Sequence, residues 1–435
     1  MKEIRTVTVI GATGTMGTNA AGIFASFGNA KVYAVGRDIE KVKNHLSKIV
    51  RSVRADSIKK NLIPADDTML EQCVSESDLV FESTVENIDV KIEIASRVAR
   101  CLRKEAVSCT GTSGLSITRL AEVYPDEFKG HFIGLHMFNP PYSMPLCELI
   151  FTAYTDKKVQ GELKEYLEKV LFRTVVEVKD SPAFLGNRIG FQFINEAAQY
   201  AERYKDNGGI DYIDGIIAPF TGRPMSPLVI SDFVGLDVHK AIVDNLYENT
   251  NDYAHETFRV PEFMEERIRK KQLGRKSGCG LYQTIKYEGG LKRQTVLDIG
   301  TGSYRDKIQY VFPFAEKMKK YIAEGDYEKA FLVLINNHSV EAEICTSFLL
   351  KYIIYSLYVT ESVGETPESA DDVMAAGFNW CPPFALCQIF SAVSDIKALI
   401  RERLWGLTDQ IDIDRVLSVV KPSKYDYRSY FRSIG

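Results

Sequence analysis

The sequence lacks the cysteine patterns that stabilise small secreted domains or hold a zinc ion. Eight cysteines are spread over 435 residues, and no two of them form a C-x-x-C pair. Cysteines scattered in this way are typical of reduced thiols in the cytosol, and they argue against a disulfide framework or a zinc site. We therefore expect no metal centre and a cytoplasmic location.

A strong charge of one sign and a long apolar run are also missing. The net charge is −4, which gives no electrostatic reason to expect nucleic-acid binding. The longest apolar run, near residues 348–359, contains Lys351 and is too short to span a bilayer. No signal-peptide pattern opens the sequence. We expect a soluble protein of two or three domains without nucleic-acid or membrane partners.

A glycine loop directly after an apolar strand is the most informative feature that is present. Residues 4–10 are typical of a buried strand, and an apolar helix follows the loop. In such a unit the helix N-terminus points free backbone N–H groups at a pyrophosphate. The spacing is G-x-x-G-x-x-G, one residue longer than the dinucleotide fingerprint, so a glycine-rich turn without a ligand stays open. The residues assigned to the cofactor here are Gly11, Gly14, Thr15, Met16 and Gly17.

Strand and helix patterns alternate over the first 180 residues, and helical periodicity follows. Alternation of this kind predicts a doubly wound sheet. The predicted strands after the first are 32–35, 79–82, 106–109, 132–137, 147–151 and 174–178. The predicted domains are residues 1–181, a first helical domain at 182–284, a linker at 285–311 and a second helical domain at 312–435.

The two helical segments share a loose plan that suggests a duplication. In each one, an aspartate in a turn precedes a proline loop, from Asp214 to Pro227 and from Asp371 to Pro383. The similarity is weak, so a diverged duplication stays a hypothesis.

The end of the second predicted strand bears on the choice of cofactor. An acid at this place accepts hydrogen bonds from the adenine ribose of NAD, but the chain has Gly36 there and Arg37 next. A guanidinium can grip the 2′-phosphate of NADP with two hydrogen bonds. Alternatively, Arg37 stacks on adenine or faces solvent, and Asp38 serves NAD.

A basic stretch covers residues 41–60. Cations on a helical hairpin usually form a solvated face. They can also hold a polyanionic handle such as the phosphates of coenzyme A, for which the candidates are Lys41, Lys48 and Arg51.

The segment from Gly134 to Ile150 contains the residues best suited to chemistry. Two short apolar strands flank a proline-rich turn, and a hairpin centred near Tyr142 would place His136 opposite Glu148. A carboxylate beside an imidazole fixes the ring tautomer and stabilises the protonated ring, which suits a general acid/base pair. A structural histidine with an incidental glutamate is the alternative.

This segment resembles the signature G-x-H-x-F-N-P-…-E of the L-3-hydroxyacyl-CoA dehydrogenases. Further segments between residues 5 and 283 are similar to that family in the same order. Besides the opening loop, they are residues 85–91, 112–118, 180–188, 224–237 and 274–282. Residues 312–435 resemble the second C-terminal helical module of longer bacterial members, and no enoyl-CoA hydratase domain is evident.

The resemblance implies an α/β Rossmann domain followed by all-α helical domains like those of 6-phosphogluconate dehydrogenase. It implies reversible hydride transfer between C3 of an L-3-hydroxyacyl-CoA and NAD or NADP, in fatty-acid or acyl-CoA metabolism. The helical modules would form a homodimer or pair within one chain. The implied roles are acid/base catalysis by His136, orientation by Glu148, support of the His136 loop by Asn139, substrate contacts by Ser113 and Asn187, and nicotinamide-ribose contacts by Glu86 and Lys91.

Three departures from the family pattern lie on the cofactor side: the longer glycine loop, Gly36 followed by Arg37, and Gly111 in place of an asparagine. They leave NAD or NADP open. Two other functions also stay open. One is a dehydrogenase of a free or carrier-bound 3-hydroxy acid, and the other is a non-catalytic NADP-binding regulator. The retained His136, Glu148, Ser113 and Asn187 argue against the regulator, since a sensor needs no acid/base pair.

Overall fold

The computed structural model describes residues 3–53, 56–286 and 292–431, and the chain divides into two compact units. The first contains residues 1–184 and a short return segment, 363–365, and the second contains the rest. The boundary after Phe184 lies three residues beyond the predicted one. Apart from residues 182–184 and 363–365, both segments predicted as separate helical domains lie in the second unit.

The first unit is built on one eight-stranded sheet. Its strands are β1 Thr6–Ile10, β2 Lys31–Gly36, β3 Leu62–Asp66, β4 Leu79–Glu82, β5 Val107–Thr110, β6 Phe132–Met137, β7 Leu146–Phe151 and β8 Thr174–Lys179. The order across the sheet is β3-β2-β1-β4-β5-β6-β7-β8. Strands β1 to β6 are parallel, β7 is antiparallel to β6, and β8 is parallel to β7. This arrangement confirms the predicted doubly wound sheet.

Strand β3 was not among the predicted strands. It forms the edge of the sheet and contains Pro64, which cannot donate to a strand neighbour and is tolerated at such an edge. Its short proline-containing sequence therefore gave no strand signal.

Seven helices connect the strands: α1 Thr15–Ser26, α2 Ile39–Val53, α3 Leu70–Glu76, α4 Ile88–Cys101, α5 Ile117–Ala121, α6 Asp126–Lys129 and α7 Lys157–Lys169. Helix α1 buries small residues and Phe24 against the sheet, and the Phe24 ring lies 6.1 Å from that of Phe81 on β4. Strand β1 is buried on both faces, as expected of a central parallel strand. The core therefore fixes the start of α1 beside the ends of β1 and β4.

The chain order reverses at β1, whose two neighbours are β2 and β4. In open parallel sheets, ligands bind outside the carboxyl ends of the strands at such a reversal. The fold thus predicts a binding crevice beside the opening glycine loop.

The second unit is mainly helical. Its helices are α8 Gly186–Arg203, α9 Ile210–Ile216, α10 Pro227–Val234, α11 Leu236–Asn249, α12 Glu262–Arg269, α13 Pro313–Ala323, α14 Tyr327–Ile335, α15 Val340–Val363, α16 Ser369–Val373, α17 Pro383–Val393, α18 Ile396–Arg403, α19 Trp405–Thr408 and α20 Ile413–Leu417. A π-helical turn follows α16 at Met374–Phe378.

The segment predicted as a linker contains strands among its described residues, while residues 287–291 lie outside them. Strands β9 Tyr282–Lys286, β10 Lys292–Leu297 and β11 Tyr304–Asp306 form a three-stranded antiparallel sheet. Val296 and Leu297 are buried, while residues 292–294 are exposed. The linker prediction was wrong because glycine, threonine and charge dominate the segment and its apolar residues are few.

Helix α15 extends beyond both ends of the apolar run near residues 348–359. Among the described residues it is the one continuous helix whose length and composition would let it cross a bilayer, while residues 369–393 qualify only as a sharply bent pair. However, 78% of the most apolar window of α15 is buried inside the protein. This burial is typical of a core helix.

One capping contact occurs twice in the helical unit. Asp214 accepts the backbone N–H of Leu228 at 2.9 Å, and Asp371 accepts that of Phe384 at 2.8 Å. Each acceptor serves the residue after the proline that begins a helix, α10 or α17. The repeated contact supports the duplication hypothesis.

Both aspartates are buried, and the burial changes their acidity. Burial raises the pKa of Asp214 to about 7, although hydrogen bonds from Tyr282 and Leu228 oppose the change. Burial likewise raises the pKa of Asp371 to about 6. Each carboxyl group therefore holds its proton more tightly in the folded state than in the unfolded chain.

The raised pKa of Asp214 predicts a pH-dependent stability. Its contribution favours folding below pH ~4 and is lost as the pH rises to about 7. Asp214→Asn removes the titration but keeps an oxygen acceptor for Leu228. We expect the free energy of unfolding of the variant, minus that of the wild type, to increase by about 2–3 kcal/mol between pH 5 and pH 8. Urea unfolding at both pH values measures this difference.

Asp326→Asn is the matched control, because Asp326 caps α14 from the surface of the same unit. Asparagine is an equally good cap, so this variant should show no such growth. An unchanged pH dependence in Asp214→Asn would contradict the prediction.

Candidate active site

The glycine loop passes close to the backbone at the carboxyl ends of β1 and β4. Gly11 has φ +87°, and a Cβ there would lie 2.3 Å from the carbonyl oxygen of Ser83. A Cβ on Gly17 would lie 2.4 Å from the Gly11 oxygen. Gly14 precedes the first residue of α1 and has an ordinary extended conformation. The loop thus brings the exposed start of α1, Thr15 and Met16 included, to the crevice at β1.

The additional loop residue is linked to the glycine at the end of β2. A Cβ on Gly36 would lie 3.1 Å from the methyl group of Thr13 and 2.7 Å from a methyl group of Val42. A side chain at position 36 would therefore crowd the longer loop. The acid that usually binds the ribose does not fit here unless Thr13 and Val42 shift.

The next two residues have different surroundings. Arg37 is exposed, and its guanidinium makes no hydrogen bond or ion pair with the residues that the structure describes. Asp38 accepts the backbone N–H groups of Glu40 and Lys41 at 3.0 and 3.1 Å and so caps α2. The hydrogen bond from Lys41 lowers the pKa of Asp38, which keeps this cap ionised.

His136 and Glu148 form a buried pair. They are directly opposite in the β6–β7 hairpin, as predicted, and His136 Nδ1 lies 2.7 Å from a carboxylate oxygen of Glu148. The two residues are 4% and 0% exposed. The rings of Phe138 and Phe184 lie 4.6 and 5.5 Å from the imidazole ring. The pair is therefore held in an apolar, largely dry environment.

Phe184 reaches His136 from a strained segment. Ala183 and Phe184 both have φ +56°, a conformation that costs non-glycine residues energy. Strained backbone persists where surrounding contacts enforce it, often at functional sites.

Asn139 lies in the hairpin turn and is exposed. Within the described ranges its side chain makes no hydrogen bond, so its predicted support of the His136 loop stays a prediction. Asn187 is buried at the start of α8 in the second unit. Its predicted contact with the substrate also stays a prediction.

Lys91 is buried in an ion pair that the sequence did not predict. Its ammonium lies 2.9 and 3.0 Å from the two carboxylate oxygens of Glu82 and 3.7 Å from Glu86. Burial favours a raised pKa for Glu82, but Lys91 and hydrogen bonds from Thr84 and Thr110 outweigh it and lower the pKa. The signal available in the sequence was an acid at the end of an apolar strand, with a lysine nine residues later.

Two carboxylates hold the loop that contains Ser113. Glu86 accepts the Thr112 hydroxyl at 2.5 Å and the Ser113 backbone N–H at 2.8 Å. At the other end of the loop, Asp180 accepts the backbone N–H groups of Ile117 and Thr118 at 3.0 and 2.8 Å. The position of Ser113 is thus fixed from both sides.

A basic groove lies beside α2, with a volume of about 390 Å³. Of the three predicted coenzyme A contacts, Arg51 lines this groove. Lys41 and Lys48 do not line it. Their seven-residue spacing places them together on one face of α2, and the groove lies against another face. The cations on the walls are Lys43, Arg51 and Lys59. Residues 54 and 55 of the basic stretch lie outside the described residues.

Family profiles match two consecutive parts of the chain. Residues 6–181 match the NAD binding domain of 3-hydroxyacyl-CoA dehydrogenase, and residues 184–284 match its C-terminal domain. The first match contains the glycine loop, the His136–Glu148 pair and the Ser113 loop, and the second contains Asn187.

Individual relatives agree with these matches. A probable 3-hydroxyacyl-CoA dehydrogenase of Bacillus subtilis is 31% identical over 71% of this chain and 38% of its own length. The mitochondrial hydroxyacyl-coenzyme A dehydrogenase of Sus scrofa is 30% identical over 64% of this chain and 91% of its own. The chain thus spans well under two thirds of the bacterial relative.

A solved structure shares the fold over nearly the whole chain. The 3-hydroxybutyryl-CoA dehydrogenase of Escherichia coli covers 97% of each chain, with a TM-score of 0.69 and 20% identity. At this identity the similarity shows the fold, including the helical part beyond residue 284.

The crossing of the glycine loop predicts different costs for two alanine substitutions. In Gly11→Ala, the methyl group meets backbone at an unfavourable φ, so we expect a loss of about 2–4 kcal/mol in the free energy of unfolding. Gly14→Ala is the control, since its Cβ would lie 3.4 Å from its nearest neighbour at an ordinary φ. Urea unfolding compares the two variants, and equal losses would contradict the geometry.

Proposed function

The chain belongs to the 3-hydroxyacyl-CoA dehydrogenase family, and on that premise we propose that it oxidises L-3-hydroxyacyl-CoA reversibly to 3-ketoacyl-CoA. The observation that carries the proposal is the buried His136–Glu148 pair. A carboxylate 2.7 Å from the ring inside an apolar pocket fixes the ring tautomer and stabilises the protonated ring, which suits a general base.

The pair assigns a role to each ring nitrogen of His136. Nδ1 donates its hydrogen to Glu148, so Nε2 is left to accept a proton. In oxidation, Nε2 takes the hydroxyl proton of the substrate while hydride leaves C3. In reduction, the protonated ring returns that proton to the forming alkoxide. A bound nicotinamide cofactor supplies the hydride acceptor or donor.

The surroundings of His136 favour this proton transfer. Phe138 and Phe184 keep water away from the ring, and electrostatic interactions are stronger in such a low-dielectric site. The Glu148 carboxylate stabilises the protonated ring that forms during oxidation. Ser113, whose loop is fixed at both ends, would hold the oxygen on C3.

The cofactor side fits a dinucleotide, and we propose NADP(H) as the preferred one. The glycine loop and the start of α1 suit a pyrophosphate. Val42 and Thr13 crowd the position of the ribose-binding acid, and Asp38 is engaged in capping α2. Arg37 is exposed beside that place and suits a 2′-phosphate.

The basic groove supports a coenzyme A thioester as the substrate. Lys43, Arg51 and Lys59 surround an apolar floor made of Leu46, Val50 and Leu62. Cations around an apolar floor suit the phosphates and the adenine of coenzyme A. A free 3-hydroxy acid has one carboxylate for these cations and no aromatic group for the apolar floor.

Replacing His136 tests the proposed chemistry. We expect His136→Ala to lower kcat for 3-hydroxybutyryl-CoA oxidation by about 10²–10⁴-fold, because the proton acceptor is lost. Glu148→Gln should give a smaller loss, since the ring remains. Absorbance of the reduced nicotinamide measures the rates, with free 3-hydroxybutyrate as the comparison substrate.

His131→Ala is the matched control, because His131 bonds a backbone oxygen outside the pair. Cofactor affinity, followed by fluorescence, should change little in all three variants. Near-wild-type turnover in His136→Ala would refute the assignment of His136 as the proton acceptor. Faster turnover of free 3-hydroxybutyrate than of the thioester would identify the free acid as the substrate.

Arg37→Leu tests the choice of cofactor. A charge-assisted hydrogen-bond pair to a 2′-phosphate predicts a rise of about 10–100-fold in the NADPH dissociation constant, with NADH little affected. Lys104→Leu removes an exposed cation before β5 and should change neither constant. Clearly tighter binding of NADH than of NADPH by the wild type would refute the NADP preference.

A further inference from the structure

Glu82 is a buried acid at the carboxyl end of β4, and donors from three elements converge on it. Lys91 on α4 contacts both carboxylate oxygens, and Thr110 at the end of β5 donates its hydroxyl at 2.7 Å. Thr84, just beyond β4, donates its backbone N–H and its hydroxyl at 2.6 and 2.5 Å. Glu82 is 6% exposed, so its carboxylate is reserved for contacts within the protein.

Lys91 lies between two carboxylates but uses them unequally. It is 2% exposed and within hydrogen-bond distance of Glu82, whereas Glu86 lies 3.7 Å away. A buried ammonium needs a compensating charge. Because Glu82 supplies that charge, Glu86 keeps one oxygen for the Thr112 hydroxyl and the Ser113 backbone N–H.

We propose that Glu82 is a positioning residue for the substrate side of the site. It acts through Lys91 and Glu86 on the loop that contains Ser113, and it needs no contact with substrate or cofactor. The inference rests on the proposed function, in which Ser113 contacts the substrate oxygen.

The consequence of removing the Glu82 charge follows from the geometry. In Glu82→Gln, the buried Lys91 ammonium keeps Glu86 as its nearest described carboxylate. The ammonium then draws Glu86 away from Thr112 and Ser113, and the loop loses its anchor at that end. Asp180 still holds the other end of the loop, so Ser113 moves while the fold persists.

A double-mutant cycle with Ser113→Ala tests this coupling. We expect Glu82→Gln to lower kcat/KM for 3-hydroxybutyryl-CoA by about 10–100-fold, as small misplacements of a substrate contact do. The double variant should then lie within about twofold of Ser113→Ala alone, because both changes remove one interaction. Multiplied losses in the double variant would overturn the proposal.

A milder variant and a matched control separate positioning from folding. Thr84→Val removes one hydroxyl hydrogen bond to Glu82 but keeps all charges and the Thr84 backbone N–H bond, and it should give a smaller loss that also disappears in the Ser113→Ala background. Asp78 lies directly before β4, at the opposite end of the strand from Glu82, and pairs with Arg103 at 2.8 Å. Asp78→Asn should lower stability without lowering kcat/KM.

Hydrogen exchange gives a readout that needs no activity. The Ser113 amide N–H should exchange at least about tenfold faster in Glu82→Gln than in the wild type or in Asp78→Asn. Unchanged exchange at Ser113 would overturn the proposal. A wild type that is inactive on acyl-CoA but shows this exchange difference would refute the proposed function and leave the positioning role intact.

Discussion

The parallel pairing of β1 with β2 and β4 is the constraint on which the site depends. Because these strands and β5 run in one direction, the segments after them emerge at one edge of the sheet. They deliver the glycine loop, Arg37, Glu86 and Ser113 to that edge. A single antiparallel turn, from β6 to β7, then returns Glu148 to the side of His136. One sheet topology thus assembles groups that are far apart in sequence.

The parts of this site that sequence could predict are those set by residue spacing within one short segment. A hairpin has a register fixed by its turn, so a centre near Tyr142 sufficed to pair His136 with Glu148. Strand β3 and the sheet at residues 282–306 were missed, because proline or mixed composition masks a strand whose partners lie elsewhere. Glu82 was missed for a similar reason: its burial depends on Lys91 and Thr110, which are adjacent to it only in the fold.

The cofactor side shows how one steric cause can look like two unrelated changes. In the sequence, the longer glycine loop and Gly36 are separate departures from the family pattern. In the structure, a Cβ at position 36 would lie 3.1 Å from the Thr13 methyl group of this loop and 2.7 Å from a methyl group of Val42 on α2. The longer loop and α2 therefore both favour a small residue at the end of β2. Under the proposed NADP preference, the neighbouring Arg37 would bind the ribose substituent.

The acids of the first unit divide the work by what each one accepts. In the proposed reaction, Glu148 accepts a hydrogen bond from a ring that changes its protonation state, so its charge would act directly on the chemistry. Glu86 and Asp180 accept backbone N–H groups, so their carboxylates fix the position of the Ser113 loop. Glu82 neutralises Lys91 and, in our proposal, keeps this ammonium from drawing Glu86 away from the Ser113 loop. Proton transfer and loop position are thus assigned to different carboxylates.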